Sequence, residues 1–413
     1  MPIRPSSKAR FHERRRAVAK DHTLIFAVFL LCGFSAAVAI RTLDPLTVEV
    51  ARDLLVPVSS VVFLASAAAL PCALAQPILG PIGDHFGKSR VLKVSLWASA
   101  ISLAAGALAN DFAMLAASRV LTGVAGAGLI PVGMAMVGDM YKNGRQVAIA
   151  RFVASAIIGQ IMGAVFAGVL AEVIGWRGVM WLCCAIVVIA AIAATLLLPG
   201  EPKDAPDKGQ FGLHTGMAIY RRIFRNRRSW ACYSTVFATG GLVFGFLPFV
   251  APVLQMQNAG GAREAGIIIG GMAVGSLAFS LALPLFLRIA TRPTLMALGG
   301  LVGCAGFFAY SSNVHWMAEA AFFCVVGVGF FMIHNSVQAE VADIDPSSRS
   351  TCFAMHAGFF YLGQTVGPLL WTLAIGALGP RGAIMLMGVA LGVTGLGASA
   401  AFRRLPRVAS GAL

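Results

Sequence analysis

Apolar stretches about as long as a bilayer is thick alternate along this chain with short polar segments. A crossing helix needs roughly 20 apolar residues. Stretches of that kind fall at 22–43, 56–80, 91–109, 112–138, 146–171 and 178–198, then at 230–254, 264–287, 294–311, 315–341, 350–376 and 382–402. A polar interval at 199–229, with prolines and many arginines, separates the two sets. The pattern predicts an all-α integral membrane fold with twelve transmembrane helices. Its parts are a basic tail (1–21), an N-terminal six-helix bundle (22–198), a linker (199–229), a C-terminal six-helix bundle (230–402) and a short tail (403–413). In the linker, Met217, Ile219, Ile223 and Phe224 can turn to lipid while the arginines turn to headgroups, which is the pattern of a helix lying on the membrane surface.

The second set of spans repeats the first in a fixed register. Asp139 and Asp343 stand 204 positions apart, and the same spacing relates Arg145 to Arg349, Gly159 to Gly363, Gln160 to Gln364, Gly163 to Gly367, Gly175 to Gly379 and Arg177 to Arg381. Glycines match easily in a chain holding 46 of them; an acid, an amide and two arginines in one register do not. We read this as duplication of a six-helix unit. An even number of crossings puts both copies in the same orientation, as a parallel repeat about an axis along the membrane normal, and two such bundles can rock around a central cavity near the midplane.

Composition agrees with the bilayer. Of 413 residues 58% are hydrophobic and 12% charged, with mean hydropathy +0.82, so an ordinary soluble chain is excluded. The net charge of +15 would suit nucleic acid, but its distribution points elsewhere. With both termini cytoplasmic, most Lys and Arg fall on that side, leaving Arg41, Arg52, Arg177, Arg263 and Arg381 facing outward, as the positive-inside rule requires. The lipid bilayer, not nucleic acid, is the expected partner of the excess charge. The run after Arg14, Arg15 and Arg16 is too long for a secretory signal and is read as the first span. The cysteines lie within spans without metal spacing, and no phosphate-binding loop or nucleophile with its base is found. No cofactor, no metal and no enzyme activity are expected. A membrane receptor, the rival from another class, would be expected to carry a signalling domain, for which 1–21 and 403–413 are too short.

Charge within or beside the spans marks candidate sites. Between spans two and three, Gly80, Asp84, Gly87, Lys88 and Arg90 cluster. Asp84 and Lys88 share a helix face if the second span reaches them. Asp139 and Arg145 flank the next loop on the same side, so these charges can form a cytoplasmic latch that pairs in one arrangement of the helices and separates in another. Arg119 lies well inside its span, about 12 Å from the outer edge at 1.5 Å per residue, and an intramembrane arginine is expected to be paired. Asp44 is its candidate partner by depth, although Pro45 ends the first span there and local pairing with Arg41 at headgroup level is an equal reading. His334 and His356 are candidate carriers of a coupling proton. Gln160, Gln364, Asn335 and Gln338 are candidate cavity residues, with structural hydrogen bonding as the competing role. Gly159, Gly163, Gly363 and Gly367 offer small faces for close helix packing. Phe244, Phe246, Phe249, Phe359, Phe360 and Tyr361 can line an apolar pocket or face lipid.

The arrangement Gly80-x-x-x-Asp84-x-x-Gly87-Lys88-x-Arg90 resembles the signature loop between spans two and three of the major facilitator superfamily. Arg119-Val-Leu-Thr-Gly123 is similar to a motif of that superfamily's drug:proton antiporter branch, in which the arginine takes part in proton transfer. Gly159-Gln-Ile-Met-Gly163, followed by Gly175-Trp176-Arg177, is similar to the branch's antiporter motif. The chain departs from these patterns at Ala164, where the motif has proline, and at His85 and Ser89, where bases are usual; a Gly367-Pro368 pair appears instead in the second half. The resemblance implies a monomeric secondary transporter of the inner membrane, moving a small organic solute by proton-coupled efflux, with proton-coupled uptake as the alternative.

Overall fold

The computed structural model describes residues 7–141, 144–200, 213–345 and 347–405; side chains within 7–22, 79–85, 146 and 213–217 lie outside the described set, as do most of the expected linker loop and C-terminal tail. Every described element is helical. The N-terminal half contains α1 (Ser7–Arg41), a 3-10 turn (Asp44–Leu46), α2 (Thr47–Asp53), α3 (Val58–Phe86), α4 (Lys88–Ala107), α5 (Phe112–Ala127), α6 (Leu129–Met140) and α7 (Arg145–Leu197). α8 (Leu213–Arg225) leads into α9 (Arg227–Val243), a 3-10 segment (Phe244–Phe249), α10 (Val250–Met256), α11 (Ala262–Ile289), α12 (Arg292–Tyr310), α13 (Trp316–Val341) and α14 (Arg349–Arg404).

Nine helical runs among the described residues are long and apolar enough to cross a membrane. Two of them, α7 and α14, hold 53 and 56 residues, about 80 Å of helix and more than twice a bilayer core. Each is broken by one glycine, Gly175 at φ 68° and ψ 168° and Gly379 at φ 69° and ψ 171°, a backbone conformation in which any Cβ would be strained. The chain turns back at both. Before the break α7 runs alongside α1, with Gly159 against Phe34 and Gly163 against Val38; after it, α7 runs against α4, with Met180 at Gly106 and Thr195 at Trp97. α14 does the same, setting Gly363 on Phe237 and Gly367 on Gly241 before the break, then Gly388 on Phe307 and Gly395 on Gly300 after it. With the more polar α4 also crossing, the segments reach the twelve that the apolar pattern predicts. The repeat is three-dimensional as well: Gly123 meets the Ala68 carbonyl and, 204 positions on, Gly327 meets that of Met272.

The expected end of the first span is corrected. α1 does stop just before Pro45, since a residue preceding proline is driven out of helical geometry. The chain then passes through the 3-10 turn into α2, and the apolar run extends from Thr23 to Asp53. Leu46 and Val50 are fully buried, and their burial carries the segment on through the membrane. Arg41 and Asp44 are therefore buried at 8% and 5% exposure rather than lying at headgroup level or facing outward.

The two halves meet along α3 with α14 and along α7 with α11. On the face away from the linker, Gly168 packs on Ala262 and Gly266, and Thr47 Oγ1 donates to the Pro248 carbonyl at 3.0 Å. Deeper in the seam, Ser66 Oγ donates to the Thr365 carbonyl at 2.8 Å. At the linker face, α8 bridges both halves. Its Tyr220 hydroxyl donates to the Pro77 carbonyl at 2.9 Å, and Arg222 binds Asp345, Ser347 and Ser348 in the loop after α13. Burial alone would raise the Asp345 carboxyl, but hydrogen bonds from Ser347 and Arg222 outweigh it and hold the group below its ordinary 3.8.

Two predictions follow from this packing. A leucine at Gly363 would drive into the α9 backbone, so Gly363→Leu should destabilise the protein by about 3 kcal/mol or more, read as a fall in thermal unfolding temperature in detergent; an unchanged midpoint would refute the contact. Because Asp345 is depressed in the folded protein, its contribution to α8 docking is complete above its unfolded value and is lost as pH falls through the folded one. Accessibility of a label at Tyr220→Cys should rise below about pH 3.8 and be pH-independent in Asp345→Asn.

Candidate functional site

The break in the first span exposes the last carbonyls of α1, and nearby side chains take them up. Thr42 Oγ1 donates to Val38 O at 2.7 Å. Arg119, 2% exposed, reaches across from α5 and donates to Ile40 O at 2.9 Å and Ala39 O at 3.4 Å. A guanidinium at a helix C-terminus meets the negative end of the helix dipole, so the arginine is partly neutralised where it sits. Arg41, the last residue of α1, pairs with Asp44 at 3.2 Å and donates to Gln364 Oε1 at 2.5 Å, while its guanidinium lies 4.6 Å from the centre of the Phe244 ring. Gln364 is on α14 and Phe244 opens the 3-10 segment after α9, so this cluster joins the two halves. The side chains surround a void of about 20 Å³, lined also by Ala68, Cys72 and Tyr361. That is room for one water, not for an organic solute, so the seam must part for anything larger to enter. Two donors on this wall have no partner among the described residues: Arg119 Nε and Gln364 Nε2.

At the linker face the loop charges are arranged differently from the expected latch. α3 ends at Phe86, and Gly87, at φ 89°, turns the chain so that Lys88 starts α4. Asp84 and Lys88 thus belong to different helices and do not share a face, which corrects the i, i+4 reading. Lys88 instead pairs with Asp139 at the end of α6, 2.7 Å away. The second half holds the same pair 204 positions on, Arg292 with Asp343 at 3.0 Å, in the register that relates Asp139 to Asp343. Here Arg292 also reaches Glu340 at 3.3 Å, and Glu340, 3% exposed, is bound by Arg228 as well. Arg145 lays its guanidinium against Gly138, and Arg90 is exposed. The Gly80 and Asp84 side chains lie outside the described residues. On the opposite face, Trp176 Nε1 and Arg177 both donate to Asp53, and Arg177 also donates to the Ala109 carbonyl at 2.8 Å, fastening three chain ends beside the Gly175 turn.

Other candidates are placed elsewhere. His334 and His356 stack edge to face, ring centres 5.0 Å apart, packed with Phe330 and Phe360; His334 Nδ1 and His356 Nε2 have no hydrogen-bond partner within the protein. Gln160 and Asn335 are half-buried and Gln338 is exposed, and none of the three lines the void. Gly159, Gly163, Gly363 and Gly367 lie at close helix contacts, and Pro368 follows within α14. Phe246 and Phe249 pack on Trp371 instead of lining a pocket. Sequence reasoning missed Arg41 as a cavity residue. The signal available was the resumption of apolar residues after Pro45, at Leu46, Val48 and Val50, which carries the span past its apparent end.

A family model described as Major Facilitator Superfamily matches residues 29–351, which takes in the N-terminal half and the C-terminal half up to the start of α14. The chain belongs to the Major Facilitator Superfamily. An uncharacterized MFS-type transporter of Bacillus subtilis, YybF, is 23% identical over 83% of this chain and 86% of its own length. A probable actinorhodin transporter of Streptomyces coelicolor is 26% identical over 77% of this chain and 54% of its own. Among solved structures, the nucleoside transporter NupG superimposes with TM-score 0.74 at 15% identity, covering 92% of this chain and all of that one, and shares its fold. The superfamily's members are transporters of small molecules rather than enzymes, and a void ringed by both halves belongs in such a protein.

In this superfamily member the arginine of α5 carries a structural duty apart from any proton chemistry. Removing Arg119 leaves two buried carbonyls without donors, each costing about 1–3 kcal/mol. Arg119→Ala should therefore lower the unfolding temperature in detergent markedly, and Arg119→Lys, which keeps a donor, should lower it less. Equal midpoints for the two variants would show that the carbonyl contacts contribute nothing.

Proposed function

We propose that the chain is a secondary transporter that moves a small organic solute by alternating access between its halves, coupled to protons, with efflux as the working direction. The observation that carries this reading is the buried cluster of Arg41, Asp44, Arg119 and Gln364, assembled from both halves. A charged group at such depth is costly unless paired or functional, and Asp44 is an acid whose protonation would weaken its hold on Arg41, the residue that bonds across the seam to Gln364. The ion pairs Lys88–Asp139 and Arg292–Asp343 act in this scheme as latches, with Asp84, Gly80, Gly87, Arg90 and Arg145 as the rest of the loop machinery. Exposed pairs of this kind are worth about 0–1 kcal/mol, enough to bias two states without locking either. His334 and His356 extend the protonatable groups toward the linker face.

Similarity to a multidrug transporter of Aspergillus fumigatus and to the probable actinorhodin transporter supports efflux and a substrate of organic character. The basic linker and tails favour a cytoplasmic linker face, in a multi-pass protein of the inner membrane acting as a monomer. A second reading, proton-coupled uptake, is favoured by one feature of the cluster: Arg41 is already held by an acid, so protonation of that acid frees a cation for solute. In proteoliposomes with an imposed pH gradient, solute flux should follow the gradient in the intact protein. In Asp44→Asn we expect loss of gradient-driven accumulation with downhill exchange retained. Gradient-driven flux surviving that substitution would remove Asp44 from the coupling step.

A further inference from the structure

We infer that the solute carries a carboxylate, and that this group is held at the seam by Arg41, Gln364 and Arg119. The inference rests on the transport reading and names the substrate class of the same site. The charge at the void is unbalanced. Two guanidiniums face one carboxylate, and the carbonyl end of α1 offsets roughly half a charge, which leaves net positive charge on a buried wall. Among the described residues lining the void no other element adds a countercharge: α3 contributes Cys72, the segment after α9 Phe244, and α14 Tyr361 beside Gln364.

Hydrogen bonding points the same way. The unpartnered polar atoms on the wall, Arg119 Nε and Gln364 Nε2, are both donors, on side chains 2% and 5% exposed. Buried donors are rarely left unmet, and a group with two acceptor oxygens and negative charge supplies what these lack. A cationic solute would meet two arginines and find only Asp44, already engaged by Arg41 at 3.2 Å. Around the donors the wall is apolar, with Ile40, Ala65, Ala69 and Phe244, so the rest of the solute is a hydrocarbon or aromatic body.

A carboxylate that takes Arg41 displaces Asp44 from it, and Asp44 is then best accommodated protonated. Solute and proton therefore strengthen each other's binding, a coupling that is reciprocal by thermodynamic necessity. Solute and proton are then held in the same state of the seam, as in the second reading above, and the sign of flux under an imposed pH gradient separates that reading from efflux.

The test uses the purified full chain in detergent and thermal unfolding with matched probes: benzoate, benzamide and benzylamine, and the phenylpropionate set. The carboxylates should raise the unfolding temperature and their amides and amines should not, with the effect growing from about pH 8 to about pH 6, where the probes stay ionised. Gln364→Leu, which removes a donor without changing charge, should weaken carboxylate binding about tenfold. Asp44→Asn should keep it and flatten its pH dependence. Equal or better stabilisation by amines, no carboxylate effect, or undiminished binding in Gln364→Leu would each overturn the inference. Binding is read without flux, so the two ideas fail separately. Carboxylate binding with no flux in vesicles sinks transport alone, and flux of neutral or cationic solutes with no carboxylate preference sinks this inference alone.

Discussion

The contact between the Arg119 guanidinium and the carbonyls of Ala39 and Ile40 is what permits a helix to break inside this membrane protein. In hydrocarbon no water is present to satisfy a freed backbone oxygen, and each one left bare costs several kcal/mol. Pro45 makes the break unavoidable. Thr42 and Arg119 make it tolerable, and the irregular turn that results sets Arg41 and Asp44 at the seam. The arginine thus supports the backbone of one helix from another, and the charged cluster depends on that support.

Around this point, glycine governs how the bundle closes. Where α1 meets α7 and where α9 meets α14, backbones approach so closely that Gly159, Gly163, Gly363 and Gly367 have no room for a side chain. Between apolar helices in lipid, such contact is a principal source of attraction. Hydrogen bonds across the seam among the described residues include Arg41 to Gln364, Ser66 to Thr365, Thr47 to Pro248 and Tyr220 to Pro77. The seam is held chiefly by helix packing, α3 on α14 and α7 on α11, rather than by hydrogen bonds.

How much of this the sequence disclosed depends on the length scale of the signal. Apolar runs near 20 residues are read directly, and the 204-residue register foresaw that Gly175 and Gly379 would be equivalent; the structure gives them nearly identical dihedral angles. The end of the first span was misplaced because Thr47–Asp53 holds Glu49, Arg52 and Asp53 and reads as a loop, whereas its buried residues belong to a continuing helix. Asp84 and Lys88 share a face only if span two runs on through Gly87, and the structure turns the chain at that glycine instead, at positive φ. Arg41, Phe244 and Gln364 meet only because three distant segments fold together, and no local pattern announces such a meeting.

The buried Glu340, shared by Arg228 and Arg292, has no equivalent in the first half, where the same register places Met136, with Leu24 and Lys88 opposite. Withdrawing a cation from Glu340 would strand an anion, at about 3–5 kcal/mol, whereas Lys88 and Asp139 are 30% and 61% exposed and water can replace either partner. The duplicated molecule is therefore mechanically lopsided. Its C-terminal half is braced internally at the linker face by a buried ion network, and the matching pair of the N-terminal half stands in water.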